Sequence, residues 1–325
     1  MDLSQLFIKQ NLMRRVLWSL VPITAYGVYL FGLRVLMLLA VVTVAGVLTE
    51  YLFLKWGYKK SPKVSEAVLV SSILYTLTLP PAIPAWMAVV GIIFGVFFGK
   101  CVFGGFGKNV FNPALLGRCF IFISFPVHMT AHWSHPFMTF PGGLTRWGGA
   151  ADSLTGATPL TVGDSIHGFA GHLNLFFGSI PGSIGETSAL LLLVAAAYLI
   201  VTRTASWKIM AAGLVSFLVF SSAFFLVGST GTPPSIAVLS GSILFGLVFM
   251  ATDPISAPKL ESSKLVYGVL IGFLAIVIRV YGNFTEGVMF SILIANTFVP
   301  LIDRHMQALG KRPEAQPSSG KKVAS

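Results

Sequence analysis

Residues 152–158 are the part of this chain whose side chains are best suited to chemistry. They read Asp-Ser-Leu-Thr-Gly-Ala-Thr. The hydroxyl of Thr158 is an alcohol that could be esterified by a phosphoryl group. The small residues Gly156 and Ala157 would let an enzyme approach the backbone closely, and Asp152 could assist recognition or place a Mg²⁺ ion. The alternative is an ordinary loop turn, since threonine and glycine are common in turns.

Three acidic residues lie at the ends of apolar segments, where a charge is costly and therefore suggests a function. Glu66 opens one segment, whereas Asp253 and Asp303 each close one. Because hard cations prefer oxygen ligands, these carboxylates are candidates for a cation pathway. Glu50 and Glu286 are weaker candidates. The alternative is helix-end solvation and pairing with nearby cations. Those cations are Lys63, Lys259 and Arg304.

Polar residues also occur in and beside a glycine-rich interruption of the apolar pattern at residues 101–113. Asn109 and Asn112 could bond a ligand or an exposed carbonyl, and capping of a helix after the break is an equal alternative. The GGFG sequence there lacks the spacing and strand context of a dinucleotide fingerprint. Arg118 lies within an apolar segment and needs an anionic or carbonyl partner, for which a cofactor or lipid phosphate would serve.

Histidine and cysteine are the remaining possible metal ligands. His128, His132 and His135 have a conceivable ligand spacing, but interfacial polar residues beside aromatic side chains are the favoured interpretation. No metal site is predicted. Cys101 and Cys119 lack Cys-x-x-Cys spacing, which disfavours a disulfide framework or a self-contained iron–sulfur site.

The composition indicates that lipid rather than water surrounds most of this chain. Of its 325 residues, 55% are hydrophobic and 10% are charged, whereas soluble domains carry about 25% charged residues. The mean hydropathy is +0.82. The net charge of +11 does not indicate nucleic acid, because the basic residues punctuate the apolar runs. The first run lacks a small-residue cleavage site, so an uncleaved first span is expected.

Ten apolar segments could form membrane-spanning helices, for which a straight crossing needs roughly 20 residues. With the N-terminus inside, 18 of the 22 basic residues fall on the cytoplasmic side, as the positive-inside rule predicts. Both termini are then cytoplasmic, and the loop that contains Thr158 is extracytoplasmic. The segments lie near residues 15–32, 34–54, 65–79, 84–100, 111–127, 187–203, 206–228, 234–252, 265–281 and 285–302.

An internal repeat relates the two halves. SEAVLVSSILY at 65–75 aligns with SIAVLSGSILF at 235–245, with seven identities in eleven positions. VGIIFGVF at 90–97 is similar to YGVLIGFL at 267–274. The partners are five spans apart, and an odd offset gives the two halves opposite orientations. Chance similarity between apolar helices is the alternative.

The predicted fold is therefore an all-α polytopic membrane protein with about ten transmembrane helices in two inverted repeats. Residues 1–127 form the first five-helix repeat and 187–303 the second. Between them, 128–186 form one long extracytoplasmic loop. Residues 304–325 are polar and rich in Pro, Ser and Lys, which predicts a disordered cytoplasmic tail.

The heptad at 152–158 resembles the acceptor motif of bacterial flavin transferases, Asp-x-x-(Ser/Thr)-Gly-Ala-Thr, with Thr155 at the variable position. Other stretches resemble the membrane flavoprotein subunits of two complexes: the D-type subunit of Rnf and the B-type subunit of the Na⁺-translocating NADH:quinone reductase. The stretches are VLTEYLF at 47–53, FGGFGKNVFNPALLGRCF at 103–120, GSIPGSIGETSAL at 178–190, MATDPISAP at 250–258 and EGVMFSILIANTFVPLID at 286–303.

The likeness covers nearly the whole chain in the same order. The D-type subunit of Rnf is favoured, because the chain starts almost at its first span and because ISFPVHMT at 123–130 and TGATPL at 155–160 look Rnf-like. FGKNVFNPAL favours the quinone-reductase subunit instead.

The resemblance implies that Thr158 carries FMN as a phosphoester, attached by a flavin transferase outside a bacterial or archaeal cytoplasmic membrane. It implies partners: an extracytoplasmic flavin subunit, iron–sulfur subunits and membrane lipids, with no nucleic acid. Electrons would pass through the FMN, coupled to Na⁺ or H⁺ transport between ferredoxin and NAD⁺ or from NADH to quinone.

The resemblance also implies a noncovalent riboflavin deeper in the helices, for which Asn109, Asn112 and Arg118 are the candidates. It extends sodium uptake to the three carboxylates at segment ends. A rival function is a channel or small-solute transporter, since inverted five-helix repeats occur there too. A channel does not need an acceptor threonine, so bound flavin distinguishes the two.

Overall fold

The computed structural model is mostly helical, and most of its helices lie in the apolar segments of the sequence. Each of the ten predicted segments contains one or more helices. The described part of the chain comprises residues 7–57, 63–131, 133–148, 168–240, 242–282 and 287–310.

The helices of the N-terminal half are α1 (Asn11–Phe31), α2 (Arg34–Gly57), α3 (Ala67–Leu77), α4 (Ala85–Val96), α5 (Pro113–Ser124) and α6 (Pro126–Thr130). Those of the C-terminal half are α7 (Gly168–Phe177), α8 (Ala189–Val201), α9 (Trp207–Leu226), α10 (Pro234–Leu239), α11 (Ile243–Phe245), α12 (Glu261–Tyr281) and α13 (Gly287–Gly310). Short elements are strands β1 (Phe7–Ile8) and β2 (Val64–Ser65), π-helical turns Phe97–Cys101 and Gly246–Met250, and the 3₁₀ turn Gly142–Thr145.

The outer surface of the helices is apolar, which identifies a membrane protein. Large apolar side chains face outward, including Trp56 at 82%, Val201 at 81% and Leu226 at 84% exposure. Soluble monomers rarely expose contiguous apolar surface on this scale. Among the described helices, α2, α9, α12 and α13 are long and apolar enough to cross a bilayer unaided. The shorter helices α3, α4, α5 and α8 are also apolar, so ten crossings stay a prediction.

Close helix crossings in both halves depend on glycine. In the first half, a Cβ at Gly117 of α5 would lie 2.6 Å from the carbonyl oxygen of Gly91 in α4. In the second half, a Cβ at Gly268 of α12 would lie 2.8 Å from the carbonyl oxygen of Ile209 in α9. Small residues at such positions let helix backbones approach in membranes, where packing rather than the hydrophobic effect drives association.

α1 joins the two halves, because it packs against α3 of the first half and α8 of the second. Ahead of it, β1 pairs with β2 in a parallel ladder that matches Phe7 with Val64. This short pairing holds the segment before α1 beside the start of α3.

Three sequence predictions differ from the structure. The repeat-matched segments are not alike: α3 is one continuous helix, whereas its partner ends as α10 at Leu239 and resumes as α11 at Ile243. The break contains serine and glycine, which are weak helix formers. The tail predicted to begin at 304 instead continues α13 to Gly310, because 304–310 has no helix breaker before that glycine. The predicted loop at 128–186 also contains helix α7.

Candidate functional site

The glycine-rich interruption predicted at residues 101–113 is a break between α4 and α5. α4 ends in the π-helical turn Phe97–Cys101. Gly104, Gly105 and Gly107 then have φ of 103°, 93° and 88°, a left-handed region that glycine adopts without strain. The segment 108–112 then leads from these glycines to the start of α5 at Pro113.

The two asparagines of this segment differ in role. Asn112 caps α5: its Oδ1 accepts a hydrogen bond of 3.0 Å from the backbone N–H of Ala114, so the capping interpretation is correct for this residue. Asn109 is 6% exposed, and its Oδ1 has no hydrogen-bond partner in the described part of the chain. A buried acceptor without a donor is costly, which makes Asn109 a candidate ligand contact.

A second break follows α11 in the C-terminal half. The π-helical turn Gly246–Met250 follows α11 directly, and the helix ends after it, just before Thr252 and Asp253. The carboxylate of Asp253 accepts hydrogen bonds from the backbone N–H of Ile255 at 3.2 Å and from the Ser256 hydroxyl at 3.1 Å. These donors are local and neutral, so Asp253 is ion-paired with none of the neighbouring lysines that the sequence suggested.

The two breaks face each other across a cavity of about 50 Å³. Its polar wall contains Lys100, Asn109, Asn112, Thr252 and Asp253. Sites for small organic ligands are also mostly apolar with a few placed polar groups, but they are typically larger, at about 300–1,000 Å³. Of the predicted site residues, the structure brings Asn109, Asn112 and Asp253 together here. Apolar residues of the wall include Met13, Val70, Leu74, Phe106, Leu199, Val248 and Phe249.

A buried ion pair supports the cavity from the α2 side. The Nζ of Lys100 lies 2.8 Å from a carboxylate oxygen of Glu50 and 2.5 Å from the Ser65 hydroxyl oxygen. Lys100 is 2% exposed, so its charge is balanced inside the protein by Glu50 rather than by water. It ends an apolar helix whose last turn is covered by α2 and β2.

Glu66 and Asp303, two of the predicted cation-pathway residues, lie outside the cavity wall. The carboxylate of Glu66 accepts hydrogen bonds from Arg14 at 2.6 Å and from the backbone N–H of Gln10 at 2.7 Å. Arg14, not one of the cations expected from the sequence, is therefore its partner. Asp303 accepts a bond of 3.3 Å from the backbone N–H of Lys259.

Arg118 is buried in α5, at 1% exposure. Its guanidinium lies 2.8 Å from the carboxylate of Glu186, which is the kind of anionic partner that an arginine within an apolar segment requires. Arg118 does not line the cavity. Its role as a flavin ligand stays a prediction.

The covalent attachment motif falls outside the described residues. This applies to Asp152, Thr155, Gly156, Ala157 and Thr158, as well as to His132 and Glu286. Of the histidine run, His128 and His135 are described. In the described ranges, no group of three or more His, Cys, Asp or Glu side chains could hold a metal ion.

Comparison with known proteins gives the family of this chain. The chain matches the NQR2, RnfD, RnfE family over residues 7–309. It belongs to that family. This agrees with the resemblance inferred from the motifs, which named the Rnf and quinone-reductase subunits together.

Curated relatives in this family are B-type subunits of Na(+)-translocating NADH-quinone reductases. The chain is 40% identical over 255 residues to that of Pseudomonas paraeruginosa, covering 74% of this chain and 60% of the relative. It is 40% identical over 259 residues to that of Chromohalobacter salexigens, covering 76% and 60%. For Azotobacter vinelandii it is 38% over 279 residues, covering 81% and 64%. The matches thus span about three fifths of each relative's length.

Sequence reasoning missed the roles of Lys100 and Glu186 and underrated Glu50. A signal was present, because each is a lone charge inside or beside an apolar segment. Such charges are expensive in lipid and usually find partners within the protein. The pairing of Glu50 with Lys100, fifty residues apart, depends on how α2 crosses α4 and could not be read from spacing.

Proposed function

We propose that this chain is the membrane flavoprotein subunit of an ion-translocating electron transport complex, with FMN esterified to Thr158. Family membership together with the heptad at 152–158 carries the proposal. The relatives are named as subunits of a redox enzyme, which supports an electron-carrying role. The protein would lie in the cytoplasmic membrane with both termini inside and the Thr158 loop outside, and would act with flavin and iron–sulfur subunits.

The covalent FMN is tested on the intact protein purified from a host that has the flavin transferase. Its mass should exceed the polypeptide mass by one FMN moiety, and its band on a denaturing gel should fluoresce. Thr158→Val should abolish both signals. Thr161→Val, the same change three residues beyond the acceptor, is the matched control and should keep both. Fluorescence that persists in Thr158→Val, or a dark wild-type band, would refute the attachment.

The cavity between the two breaks is the proposed site of a second, noncovalent flavin such as riboflavin. Two observations support this site: the Oδ1 of buried Asn109 has no partner in the described part of the chain, and the apolar walls include Phe106 and Phe249. The cavity of about 50 Å³ is smaller than a ligand site of this kind, so the walls would move apart when a flavin binds. Asn109 would accept a hydrogen bond from the flavin, while Lys100 and Asp253 would set the charge beside it. When bound, a flavin supplies one- and two-electron redox chemistry, and the protein tunes it through such contacts.

Asp253 is the acid best placed to link this cavity to cation transport. It alone of the predicted cation-pathway carboxylates lines the cavity, and oxygen ligands suit hard cations. Asp253→Ala should slow cation-coupled turnover and leave Thr158 flavinylation intact. Glu314→Ala, which removes one carboxylate from the polar C-terminal segment, is the control and should change neither. Turnover and sodium dependence of Asp253→Ala at wild-type values would refute the role.

Two complexes are candidates for this protein, and the Rnf-like stretches at 123–130 and 155–160 favour Rnf, a ferredoxin:NAD⁺ oxidoreductase. A specific observation favours the quinone reductase instead: the relatives that are about 40% identical are named as its B-type subunits. Purified complex should show which is correct. NADH-driven quinone reduction identifies the quinone reductase, whereas electron exchange between ferredoxin and NAD⁺ identifies Rnf. A channel is supported only if the wild-type protein binds no flavin.

A further inference from the structure

A second cleft lies at the ends of two membrane helices, next to the central cavity. It is an open cleft of about 590 Å³ and is bordered by Arg203, Trp207, Lys259, Glu261 and Lys264. Trp207 is the first residue of α9 and Glu261 the first of α12, and both helices are long and apolar enough to cross a bilayer. The cleft therefore opens where the protein meets the membrane–water interface.

The cleft has an excess of positive charge. Glu261 is its one acid, and that carboxylate is already bound by Lys264 at 2.6 Å and by Lys208 at 3.0 Å. Arg203 and Lys259 are exposed, and within the described ranges their side chains form no hydrogen bond or ion pair. Two cations thus border the cleft without an ion pair, although the carboxylate of Asp303 lies 3.3 Å from the backbone nitrogen of Lys259.

The backbone at Arg203 adds an independent observation. This residue follows α8 with a φ of 53°, the only non-glycine residue in the described ranges with positive φ. Helices commonly end in this left-handed conformation, but glycine or asparagine usually occupies it. An arginine is less common than glycine at such a position. The side chain of Arg203 borders the cleft.

Helix dipoles reinforce the positive charge. The N-termini of α9, with 20 residues, and of α12, with 21, both lie at the cleft. Neither is capped by the side chain of its N-cap residue. Free backbone N–H groups and the dipole make a helix N-terminus attractive to phosphate. Cations and helix ends thus point to the same ligand chemistry.

We propose that this cleft binds the headgroup of an anionic phospholipid such as phosphatidylglycerol. The phosphate would lie between Arg203 and Lys259, at a depth where an exposed tryptophan such as Trp207 is typical. Basic pockets between membrane helices bind such headgroups. Ile200, 37% exposed, provides apolar wall for the start of an acyl chain. A free phosphate or an acidic protein would gain nothing from the exposed tryptophan and isoleucine.

The lipid would also close one side of the central cavity. Thr204, Ala205, Thr252 and Pro254 line both spaces. A bound headgroup would therefore lie beside the loop that holds Asp253. This inference goes beyond the proposed function and does not depend on a bound flavin.

The test is native mass spectrometry of the detergent-purified full chain, incubated with phosphatidylglycerol or phosphatidylcholine. The test variant is Arg203→Gly with Lys259→Gln, in which glycine suits the left-handed backbone and protects the fold. The control is Lys55→Gln with Lys63→Gln, which removes the same charge from exposed positions elsewhere. At about fivefold per cation near a membrane surface, phosphatidylglycerol retention should fall about thirtyfold in the test variant, which lacks two cations. The control should match wild type.

Each outcome decides the proposal. Preferential retention of phosphatidylglycerol that is lost in the test variant, with an unchanged melting temperature, supports it. Displacement of the lipid by excess inorganic phosphate would identify a free-phosphate site and overturn it. Equal retention of both lipids by wild type would also overturn it, because the charge of the headgroup would then not be recognised. Equal losses in the test and control variants would show a nonspecific charge effect and overturn the site.

Discussion

The ammonium of Lys100 lies 2.8 Å from the carboxylate of Glu50, and their side chains are only 3% and 4% exposed. Ser65 adds a hydroxyl contact to both charged groups. The pair links α2 to the π-helical turn that follows α4, and Lys100 also borders the central cavity. The position of a cavity wall therefore depends on a buried charge pair.

Breaking this pair from one side should be more harmful than removing it. Glu50→Gln or Lys100→Met leaves an uncompensated buried charge, and each should cost about 3–5 kcal/mol. The double variant should be more stable than the sum of the two losses predicts. Tryptophan fluorescence during thermal unfolding in detergent measures this. Lys55→Met, at an exposed position, should be nearly neutral. Additive losses in the double variant would contradict a direct pair.

Gly268 should tolerate no side chain. A Cβ there would lie 2.8 Å from the carbonyl oxygen of Ile209, so Gly268→Ala must push α12 away from α9 and should destabilise by about 1–3 kcal/mol. Gly57→Ala is the matched control, because nothing lies within 4 Å of a Cβ at that position, and alanine is the better helix former. Thermal unfolding should show loss for the first and no loss for the second. Equal melting temperatures for Gly268→Ala and wild type would mean that these helices do not cross so closely.

The pairing of Glu66 with Arg14 predicts a pH dependence. Glu66 precedes α3, and hydrogen bonds from the Arg14 guanidinium hold the pKa of its carboxyl below the ordinary value of 4.5. A lowered pKa means that the ionised carboxylate stabilises the fold. That contribution is complete above pH 4.5 and is lost as the pH falls through the lowered folded-state value.

Melting temperatures measured from neutral pH down to about pH 3 test this dependence. Glu66→Gln should be less stable than wild type at neutral pH, and the difference should shrink at the acidic end. In an Arg14→Gln background, Glu66→Gln should change the melting temperature less at neutral pH, because the guanidinium that lowers the pKa of Glu66 is gone. A constant difference between wild type and Glu66→Gln at every pH would contradict the assignment.

The sequence predicted the helices well and their partners poorly, for physical reasons. Apolar runs and punctuating charges are local, and each of the ten segments contains a helix, whereas α7 lies in the predicted loop. Asn112 was interpreted correctly as a possible cap, because a cap needs only its neighbour two residues on. Arg118 required a partner, but Glu186 lies 68 positions away, and only tertiary packing brings the two together. The break between α10 and α11 was not predicted, because the matching segment of the repeat, α3, is one continuous helix.

Asn109 and Asn112 should respond in opposite ways to removal of their side-chain amides. Asn112 caps α5 with its Oδ1, so Asn112→Ala should lower the stability of the flavin-free protein by about 1 kcal/mol. The Oδ1 of buried Asn109 has no donor in the described part of the chain, so Asn109→Leu should leave the flavin-free protein as stable or more stable. Flavin retention should show the reverse order, because the proposed contact is made by Asn109. Thermal unfolding and the amount of flavin released by acid from purified protein measure the two effects. Full flavin content in Asn109→Leu would remove this residue from the proposed flavin site, whatever the stability result.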